Sequence, residues 1–401
     1  MPELADIFRE AGPRYLEAHA ERMLPSHRRA MHDIVGCRTP ALGGSLYRCD
    51  DCGALDYAYH SCRNRHCPKC QEDRAQQWLE RLRARLLPCD HYLLTFTLPH
   101  QLRAIARSHQ ELVYATLLRE AAAAVQMLAD DPTWVGGTLG IMAVLHTWSR
   151  TLEYHPHAHL LVTAGGLTPD GSAWVKPAHS RFLVPGYALS EIFRAKMRDA
   201  VARADCNREI DPTVWTRAWT VHIQQIGSGA QAARYLSRYV YHVALTNHRL
   251  ERFAHGRVTF RYTHARTQET RRLTLPADTF LARFLQHVLP RRFTKIRYYG
   301  LLSPTGRADL ERARHLLTFH AAQHARFSAA ASETTAPAST LHDNGTTNND
   351  ASGRHADTAS TVVAMTDAIT VALPAARTCA VCGRGPLRFV ERWRRSRAPP
   401  W

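Results

Sequence analysis

Histidines alternate with other residues in one short stretch, YHPHAHLLVT (Tyr154–Thr163), which then turns apolar. Side chains at positions i and i+2 of a strand project from the same face, so His157 and His159 are predicted to point together. Two neighbouring neutral imidazoles form a chelate for a divalent metal ion. The candidates for a third ligand are His155, His146, Glu153 and Gln231. Because the chain contains 24 histidines, hydrogen-bonded surface residues are the alternative interpretation.

Tyrosines occur four residues apart in a second stretch, ARYLSRYVYHVAL, whose apolar spacing predicts a helix packed on a sheet. Tyr235 and Tyr239 share one face of that helix, so both hydroxyls can approach the same site. Arg234 and Arg238 form a parallel cationic row suited to phosphate. Tyrosines beside a core stripe usually pack rather than react. Combined with a histidine metal site and a basic chain, however, the pattern favours Tyr235 and Tyr239 as nucleophiles.

Cysteines concentrate near the N-terminus in two C-x-x-C knuckles, Cys49 with Cys52 and Cys67 with Cys70. Each knuckle can turn two thiolates toward one tetrahedral ion, and two knuckles complete a four-sulfur zinc site. The sequence therefore predicts one structural zinc ion held by these four residues. Four unconnected buried thiols are the alternative, which this spacing disfavours.

Further potential ligands lie in the same block. A second metal site would use Cys37, His60, Cys62 and His66. Core thiols and solvent-facing imidazoles explain these residues equally well. Another C-x-x-C, formed by Cys379 and Cys382, stands alone far along the chain, and a lone knuckle predicts little.

The composition restricts the class of partner. The 401 residues include 52 Lys and Arg against 35 Asp and Glu, which gives a formal charge of +17. A polyanion, most commonly nucleic acid, is the expected partner of such a chain. Without a run of ~18 apolar residues, neither secretion nor membrane insertion is expected, and we expect a cytoplasmic, DNA-associated protein. Cysteines in that compartment favour metal ligands over disulfides.

Basic and aromatic residues supply candidate contacts to a nucleic acid. Near RRFTKIRYY, the candidates for phosphate contact are Arg291, Arg292, Lys295 and Arg297. Aromatic candidates for stacking on bases are Trp148, Tyr154, Tyr298 and Tyr299. Packing in the core is the alternative for each aromatic residue.

The composition and periodicity of successive segments also predict how the chain is organised. Strand and helix patterns interleave over 91–305 and indicate an α+β domain. The other predicted segments are an N-terminal helical segment (1–36), a zinc-binding module (37–72), a connecting helix (73–90), a helical extension (306–328), a disordered low-complexity tract (329–376) and a basic C-terminal tail with the lone C-x-x-C (377–401).

At the histidines and tyrosines the sequence resembles a known family. His157-Ala158-His159 resembles the histidine-hydrophobic-histidine signature of HUH single-strand endonucleases, and YLSRY is similar to the paired-tyrosine motif of rolling-circle transposases of the IS91 family. The resemblance extends in order through CRTPALGG, SCRNRHCPKCQ, LLTFTLPH, LHTWSRTLEYHPHAH and FLQHVLPRRFTKIRYYGLL, from about Ile7 to Leu302. One departure is PRRF, which lacks a glycine of the family pattern before the phenylalanine.

The resemblance implies a fold and a reaction. The fold would be an HUH-type central antiparallel sheet flanked by helices, preceded by a small zinc-ribbon-like module with structural Zn²⁺. His157 and His159 would hold the catalytic metal, Mg²⁺ or Mn²⁺, and Tyr235 and Tyr239 would attack DNA to form a 5′-phosphotyrosine. The substrate would be single-stranded DNA at transposon ends and target, nicked and rejoined in rolling-circle-like transposition. A non-catalytic zinc-ribbon nucleic-acid-binding protein and an HUH replication initiator or relaxase are the alternatives.

Overall fold

Two compact units make up the chain. The first consists of 1–45, 57–321 and 391–401, and the second consists of 46–56 and 322–390. The computed structural model describes residues 1–179, 182–204, 210–229, 231, 244–264, 266–319 and 378–394, and only the backbone of 71–76. The predicted helix of Tyr235 and Tyr239 and the predicted disordered tract at 329–376 lie outside the described residues.

A six-stranded sheet forms the centre of the first unit. Its strands run in the order β11-β4-β5-β3-β7, with the short β6 paired to β5, and every pairing for which a register is recorded is antiparallel. The strands are β3 (Asp90–Thr97), β4 (Thr138–Trp148), β5 (Tyr154–Leu167), β6 (Trp174–Val175), β7 (Val221–Ser228) and β11 (Ile296–Gly300). The prediction of an α+β fold with a central antiparallel sheet is confirmed.

Two long helices cover one face of this sheet. They are α5 (Gln110–Ala129) and α6 (Gly186–Arg203), and a short helix, α4 (Arg103–Ser108), precedes α5. Alternate residues of β5, including Ala158, Leu160 and Val162, are fully buried in the core beneath them. His109 adopts φ −121° and ψ 50°, which separates α4 from α5.

The opposite face of the sheet carries a second apolar cluster. Met142 and Val144 of β4 and Leu161 of β5 are buried there with residues of two further helices. Those helices are α3 (Pro68–Arg85) and α8 (307–319). Because side chains alternate along a strand, His157 and His159 lie on the same face as Leu161. The histidines therefore project away from α5 and α6.

A third cluster joins the N-terminal helices to a small antiparallel sheet within the first unit. The helices are α1 (Leu4–Ala18), α2 (Pro25–Val35) and α7 (Ala277–Leu285), and the sheet is β8 (Leu250–Ala254), β9 (Arg257–Thr263) and β10 (Thr270–Pro276). Phe8 of α1 meets Phe284 of α7 edge to face, with 5.3 Å between ring centroids. Cys37, Cys67 and Cys70 are buried in this cluster.

Three strands run through the second unit and form a sheet in the order β12-β1-β2. They are β1 (Gly44–Cys49), β2 (Leu55–Tyr59) and β12 (Leu387–Trp393). β12 comes from a part of the chain that the sequence pattern had placed in a basic tail. The knuckle of Cys49 and Cys52, at the turn between β1 and β2, thus shares a sheet with the strand that follows the knuckle of Cys379 and Cys382.

One helix among the described residues, α5, is long and apolar enough to cross a membrane. Length and composition alone are weak grounds for a membrane span, since buried core helices pass the same test. In the structure, 61% of the most apolar window of α5 is buried. This helix is accounted for by its packing on the central sheet.

The packing of α6 on the sheet leads to a test of the core. Phe96 is fully buried and meets Phe193 edge to face, with 4.9 Å between centroids. Phe96→Ala leaves a cavity there and is expected to lower the free energy of unfolding by about 3–5 kcal/mol, measured by chemical denaturation. Met127→Ala on α5, where the side chain is 56% exposed, is the control and should change it by less than about 0.5 kcal/mol. Equal losses in both variants would contradict the assigned core.

Candidate functional site

Three histidines form a compact cluster at one end of the central sheet. One ring nitrogen from each of His146, His157 and His159 lies within 4.8 Å of the others. The register of β4 against β5 places His146 directly opposite His157, while His159 follows two residues later on the same face of β5. Cross-strand pairing therefore completes the chelate that the H-x-H spacing begins. Of the candidates for a third ligand, His146 is the one that the structure brings into the cluster.

Hydrogen bonds fix the tautomer of His157. Its Nδ1 lies 2.7 Å from the backbone oxygen of His155, and because a carbonyl can only accept, Nδ1 carries the proton and donates it. Nε2 is therefore the unprotonated nitrogen of His157, with its lone pair available to a metal. Such a bond to the second ring nitrogen is the usual way in which proteins orient a ligating imidazole.

His159 has a comparable partner in the neighbouring strand. Thr95 of β3 lies opposite His159 in the register, and its Oγ1 is 3.0 Å from His159 Nδ1. When Nδ1–H donates to this hydroxyl, Nε2 becomes the metal-binding atom. Burial lowers the pKa of His159 to about 3, with the His157 imidazole adding to the effect. Burial likewise lowers the pKa of His157 to about 4, so both rings are neutral at physiological pH.

His155, the first choice for a third ligand, is held outside the cluster. Arg103 of α4 donates from a guanidinium nitrogen to His155 Nδ1 at 2.9 Å. This bond occupies the lone pair of His155 and leaves the proton on its other nitrogen. The Gln231 amide oxygen accepts from the backbone N–H of Ser228, and Glu153 lines the cavity around the cluster. None of these three residues belongs to the compact cluster.

An irregularity in the β4–β5 ladder shapes the surroundings of the cluster. Trp148 pairs with Tyr154, whereas His146 pairs with His157, so one residue of β4 faces two of β5. The extra residues include Pro156, which lacks an N–H and suits an interrupted ladder. Pro156 lies inside β5, two residues after its start. Trp148 stacks on His146 with 4.8 Å between ring centroids.

The histidines line an open cavity of about 800 Å³. The other residues that line it are Trp148, Ser149, Arg150, Thr151, Glu153, His155, Arg249, Tyr262, Thr263, His264 and Gln268. Arg249 is held in place by donating to the backbone oxygens of Arg150, Arg261 and Ala244. A cavity lined by clustered imidazoles, of which His157 and His159 are neutral, and by arginines is chemically suited to a phosphate diester together with a divalent ion.

His287 shows how a purely structural histidine differs. It is 2% exposed, its Nε2 donates to the backbone oxygen of Leu152, and its Nδ1 lies 3.2 Å from the Thr147 hydroxyl. Both nitrogens are thus used within the core. His157 instead keeps one nitrogen directed into a cluster of imidazoles, which core packing alone does not require.

The cysteines form two clusters, and the predicted grouping of Cys49 and Cys52 with Cys67 and Cys70 is wrong. Four residues of the first unit come together instead: Cys37, Cys62, Cys67 and Cys70. The sulfur of Cys70 lies 3.5 Å from that of Cys37 and 3.6 Å from that of Cys62. A hydrogen bond from the Cys37 thiol lowers the pKa of Cys70, which favours a thiolate. Cys67 and Cys70 sit at the start of α3, where the helix geometry turns both sulfurs inward.

The predicted second metal site, which grouped two cysteines with His60 and His66, is also wrong. Its cysteines belong to the cluster just described, but its histidines do not. His66 is partly buried and accepts a hydrogen bond from the backbone N–H of Leu289, while His60 is exposed. The partners of Cys49 and Cys52 are Cys379 and Cys382, the knuckle that seemed isolated in the sequence.

The predicted phosphate contacts have different surroundings. Arg291 and Arg292 are exposed, whereas the Arg297 guanidinium lies 5.5 Å from the centre of the Phe293 ring. Burial lowers the pKa of Lys295 to about 8, with Arg65 adding to the effect. Arg234 and Arg238, like Tyr235 and Tyr239, lie outside the described residues.

The four aromatic residues predicted to stack on bases also differ in their surroundings. Trp148 lines the cavity, whereas Tyr154 is buried with its hydroxyl 2.6 Å from that of Tyr114. Arg85 lies over the ring of Tyr298, and Tyr299 packs against the core beneath α5. Of the four, Trp148 is the residue that the structure places beside the histidines.

Sequence analysis missed Thr95, Arg103 and the pairing of the C-terminal knuckle. Thr95 carried a weak signal, since HYLLTFT alternates in a way that puts its hydroxyl and the neighbouring strand's histidines on one face. The C-terminal C-x-x-C carried a stronger one, because an unassigned knuckle implies a missing partner.

Comparison with known proteins finds relatives over most of the chain. The Y2_Tnp transposase family model matches residues 140–309, and the IS91-type transposase zinc-binding domain model matches residues 7–98. The protein y4qJ of Sinorhizobium fredii, provisionally named a transposase, is 38% identical over 79% of this chain and 84% of its own length. The transposase for insertion sequence element IS801 of Pseudomonas savastanoi pv. phaseolicola is 31% identical over 67% of this chain and 68% of its own length. No solved structure matches the chain.

The bond between Thr95 and His159 can be tested through metal affinity. Thr95→Val removes the acceptor for His159 Nδ1–H at nearly constant volume and should weaken Mn²⁺ binding by about 10-fold to 100-fold. Thr95→Ser keeps the hydroxyl and should bind within about 3-fold of the unsubstituted protein. Isothermal titration of the metal-free proteins measures both. Equal affinity of the valine and serine variants would rule out an orienting role for the hydroxyl.

The lowered pKa values predict how metal binding depends on pH. Because His157 and His159 stay neutral in the folded protein down to about pH 4 and pH 3, protons should not compete for these nitrogens between pH 8 and pH 5.5. Because the folded-state pKa values are lowered, the metal-free protein should also lose stability as pH falls below about 6.5. There the imidazoles of the unfolded chain take up protons that those of the folded chain do not. Electron paramagnetic resonance of Mn²⁺ across this range measures the first effect. Half-loss of binding near pH 6.5 would show ordinary, solvated histidines.

Proposed function

This chain belongs to the IS91 family of transposases, and on that premise we propose that it nicks and rejoins single-stranded DNA at the ends of its mobile element. Tyr235 and Tyr239 are the proposed nucleophiles, and the reaction proceeds through a covalent 5′-phosphotyrosine in rolling-circle-like transposition. The observation that carries the proposal is the cluster of His146, His157 and His159 in an open cavity that arginines also line.

The cluster fits a divalent metal ion. The imidazoles of His157 and His159 are neutral and each has a hydrogen bond that directs Nε2 inward, and the open side leaves room for oxygen ligands. When bound, such an ion polarises a nonbridging phosphate oxygen and orients the scissile phosphate. Three nitrogen donors suit Mn²⁺ better than Mg²⁺, which prefers oxygen ligands. We therefore propose that Mn²⁺ supports the reaction at lower concentration than Mg²⁺.

The protein's own groups account for the remaining requirements. A tyrosine hydroxyl has a reference pKa of about 10 and is a weak nucleophile at neutral pH unless the phosphodiester is held for in-line attack. Arg249, which is fixed by backbone acceptors, and Arg150 at the cavity wall can bind phosphate oxygens and hold that geometry. Trp148 offers an aromatic face at the same cavity for an unpaired base.

The proposed exchange conserves phosphodiester bonds. The tyrosine oxygen forms a bond to phosphorus, the bond from phosphorus to the 3′-oxygen breaks, and the phenolic proton is lost to solvent while the 3′-oxygen gains one. The linkage to the protein is itself a phosphodiester, so a 3′-hydroxyl of another strand can reverse the step without ATP. A second tyrosine allows another cleavage while the first link persists.

The decisive experiment compares tyrosine variants on element-end DNA. The purified protein is incubated with labelled single-stranded DNA from the element ends and Mn²⁺, and adducts resistant to denaturant are counted by gel electrophoresis. Tyr235→Phe with Tyr239→Phe should abolish the adduct because no phenolic oxygen remains to attack. Each single variant reports whether one tyrosine suffices for the first cleavage.

Matched controls separate chemistry from folding. Tyr187→Phe alters a tyrosine that is 78% exposed on α6 and should leave the adduct unchanged. His157→Ala should abolish the adduct while leaving the zinc content unchanged. An adduct that persists in the double tyrosine variant would refute tyrosine attack, and DNA binding without any adduct in the unsubstituted protein would favour a non-catalytic binding protein.

A further inference from the structure

The knuckle of Cys379 and Cys382 lies against that of Cys49 and Cys52 within the second unit. All four sulfurs lie within 4.8 Å of one another. Cys49 is 3.7 Å from Cys382, and Cys52 is 3.7 Å from Cys379, measured between sulfurs. The transposase zinc-binding domain model ends at residue 98 and so includes only the first of these knuckles.

The two knuckles have the same local sequence and backbone. Each is C-x-x-C-G, and the glycines, Gly53 and Gly383, adopt φ 71° and 69°, a left-handed conformation that favours glycine. The N–H of Gly53 donates to the backbone oxygen of Cys49, and the N–H of Gly383 donates to that of Cys379. This repeated turn points both sulfurs of each knuckle to one side.

The sulfur separations distinguish a metal site from a disulfide. A tetrahedral ion with Zn–S bonds of about 2.3 Å holds its sulfurs about 3.8 Å apart, whereas a disulfide requires about 2.05 Å. The two separations of 3.7 Å match the tetrahedron. Backbone N–H groups of Val381 and Gly385 point at the sulfurs of Cys379 and Cys382, at 3.4 Å and 3.5 Å, and stabilise thiolates.

The described residues of the second unit, 46–56 and 378–390, bury almost no apolar side chains. Within 46–56 and 378–390, the buried side chains are those of Cys49 and Cys379, whereas Leu55, Phe389 and Val390 are about half exposed. None of the three apolar clusters of the described residues includes a residue from these ranges. Modules of this kind fold when a metal supplies the free energy that a core would otherwise provide.

The glycine after the C-terminal knuckle shows how closely the two halves fit. A Cβ added to Gly385 would lie 2.4 Å from the Cys49 sulfur, so any larger residue would separate the knuckles. The N–H of Asp50 donates to the backbone oxygen of Pro386, which aligns the neighbouring strands. The apposition is therefore built from backbone contacts as well as from thiols.

We propose that Cys49, Cys52, Cys379 and Cys382 bind a second structural zinc ion, separate from the ion at Cys37, Cys62, Cys67 and Cys70. The chain thus contains two four-thiolate sites, one in each unit, and the C-terminal knuckle is an integral part of the second unit. Binding displaces the thiol protons to solvent and involves no change of oxidation state.

The test counts thiolate-bound metal in the full-length protein. Co²⁺ replaces zinc, and its sulfur-to-metal charge-transfer absorption reports thiolate ligands without interference from the histidine cluster. The unsubstituted chain should bind two such ions. Cys379→Ser with Cys382→Ser should bind one, and so should Cys49→Ser with Cys52→Ser. Combining the two pairs should still leave one ion, since all four residues serve the same site.

Two further variants keep the outcome interpretable. Cys89 is partly buried and lies in neither cluster, so Cys89→Ser should retain both ions. Cys382→His preserves a metal donor and should retain two ions, with a spectrum shifted toward three sulfurs and one nitrogen. Two ions in the Cys379→Ser, Cys382→Ser protein, or one ion in the unsubstituted chain, would overturn the proposal. Strand transfer plays no part in this readout.

Discussion

The pairing of β4 with β5 is the constraint on which the candidate site depends. Only when His146 lies opposite His157 do three imidazoles converge, and a slip of one residue would turn the histidines of β5 to the opposite face of the sheet. The register is held by burial on both faces, since Val144 and Leu161 occupy one core and Leu145 and Leu160 the other. The apolar residues that stabilise the sheet therefore also determine the geometry of the polar cluster.

The imidazoles of His157 and His159 can be buried beside an apolar core because they are uncharged. A charged imidazole would be costly at this depth, and burial accordingly lowers the pKa of His157 and His159. The neutral ring still needs a partner for its N–H, which the His155 carbonyl and the Thr95 hydroxyl provide. The same bonds that make burial tolerable select the tautomer that can bind a metal. The hydrogen bonds that satisfy the buried N–H groups are thus the same bonds that prepare the rings to bind a metal.

Local spacing made part of this structure predictable. The two-residue period of a strand put His157 and His159 on one face, and interleaved patterns indicated an α+β fold. The third histidine depends on cross-strand register, which spacing alone leaves open, so His146 was one of several candidates. The prediction of which cysteines group together was wrong for a similar reason, because every C-x-x-C can supply half of a zinc site. Cys52 and Cys379 are 327 positions apart, and only the folded chain shows that they are neighbours.

The apposition of the two C-x-x-C-G turns also has a consequence for biosynthesis. At about 5–20 residues per second, a ribosome would need on the order of 15–65 s to make the residues that separate Cys52 from Cys379. During that interval, Cys49 and Cys52 are exposed to the cell, and the other two cysteines of their cluster have not yet been synthesised. The cluster of Cys37, Cys62, Cys67 and Cys70 can assemble early, since all four leave the ribosome together. Completion of the other cluster would therefore mark a chain that has been translated through its C-terminal knuckle.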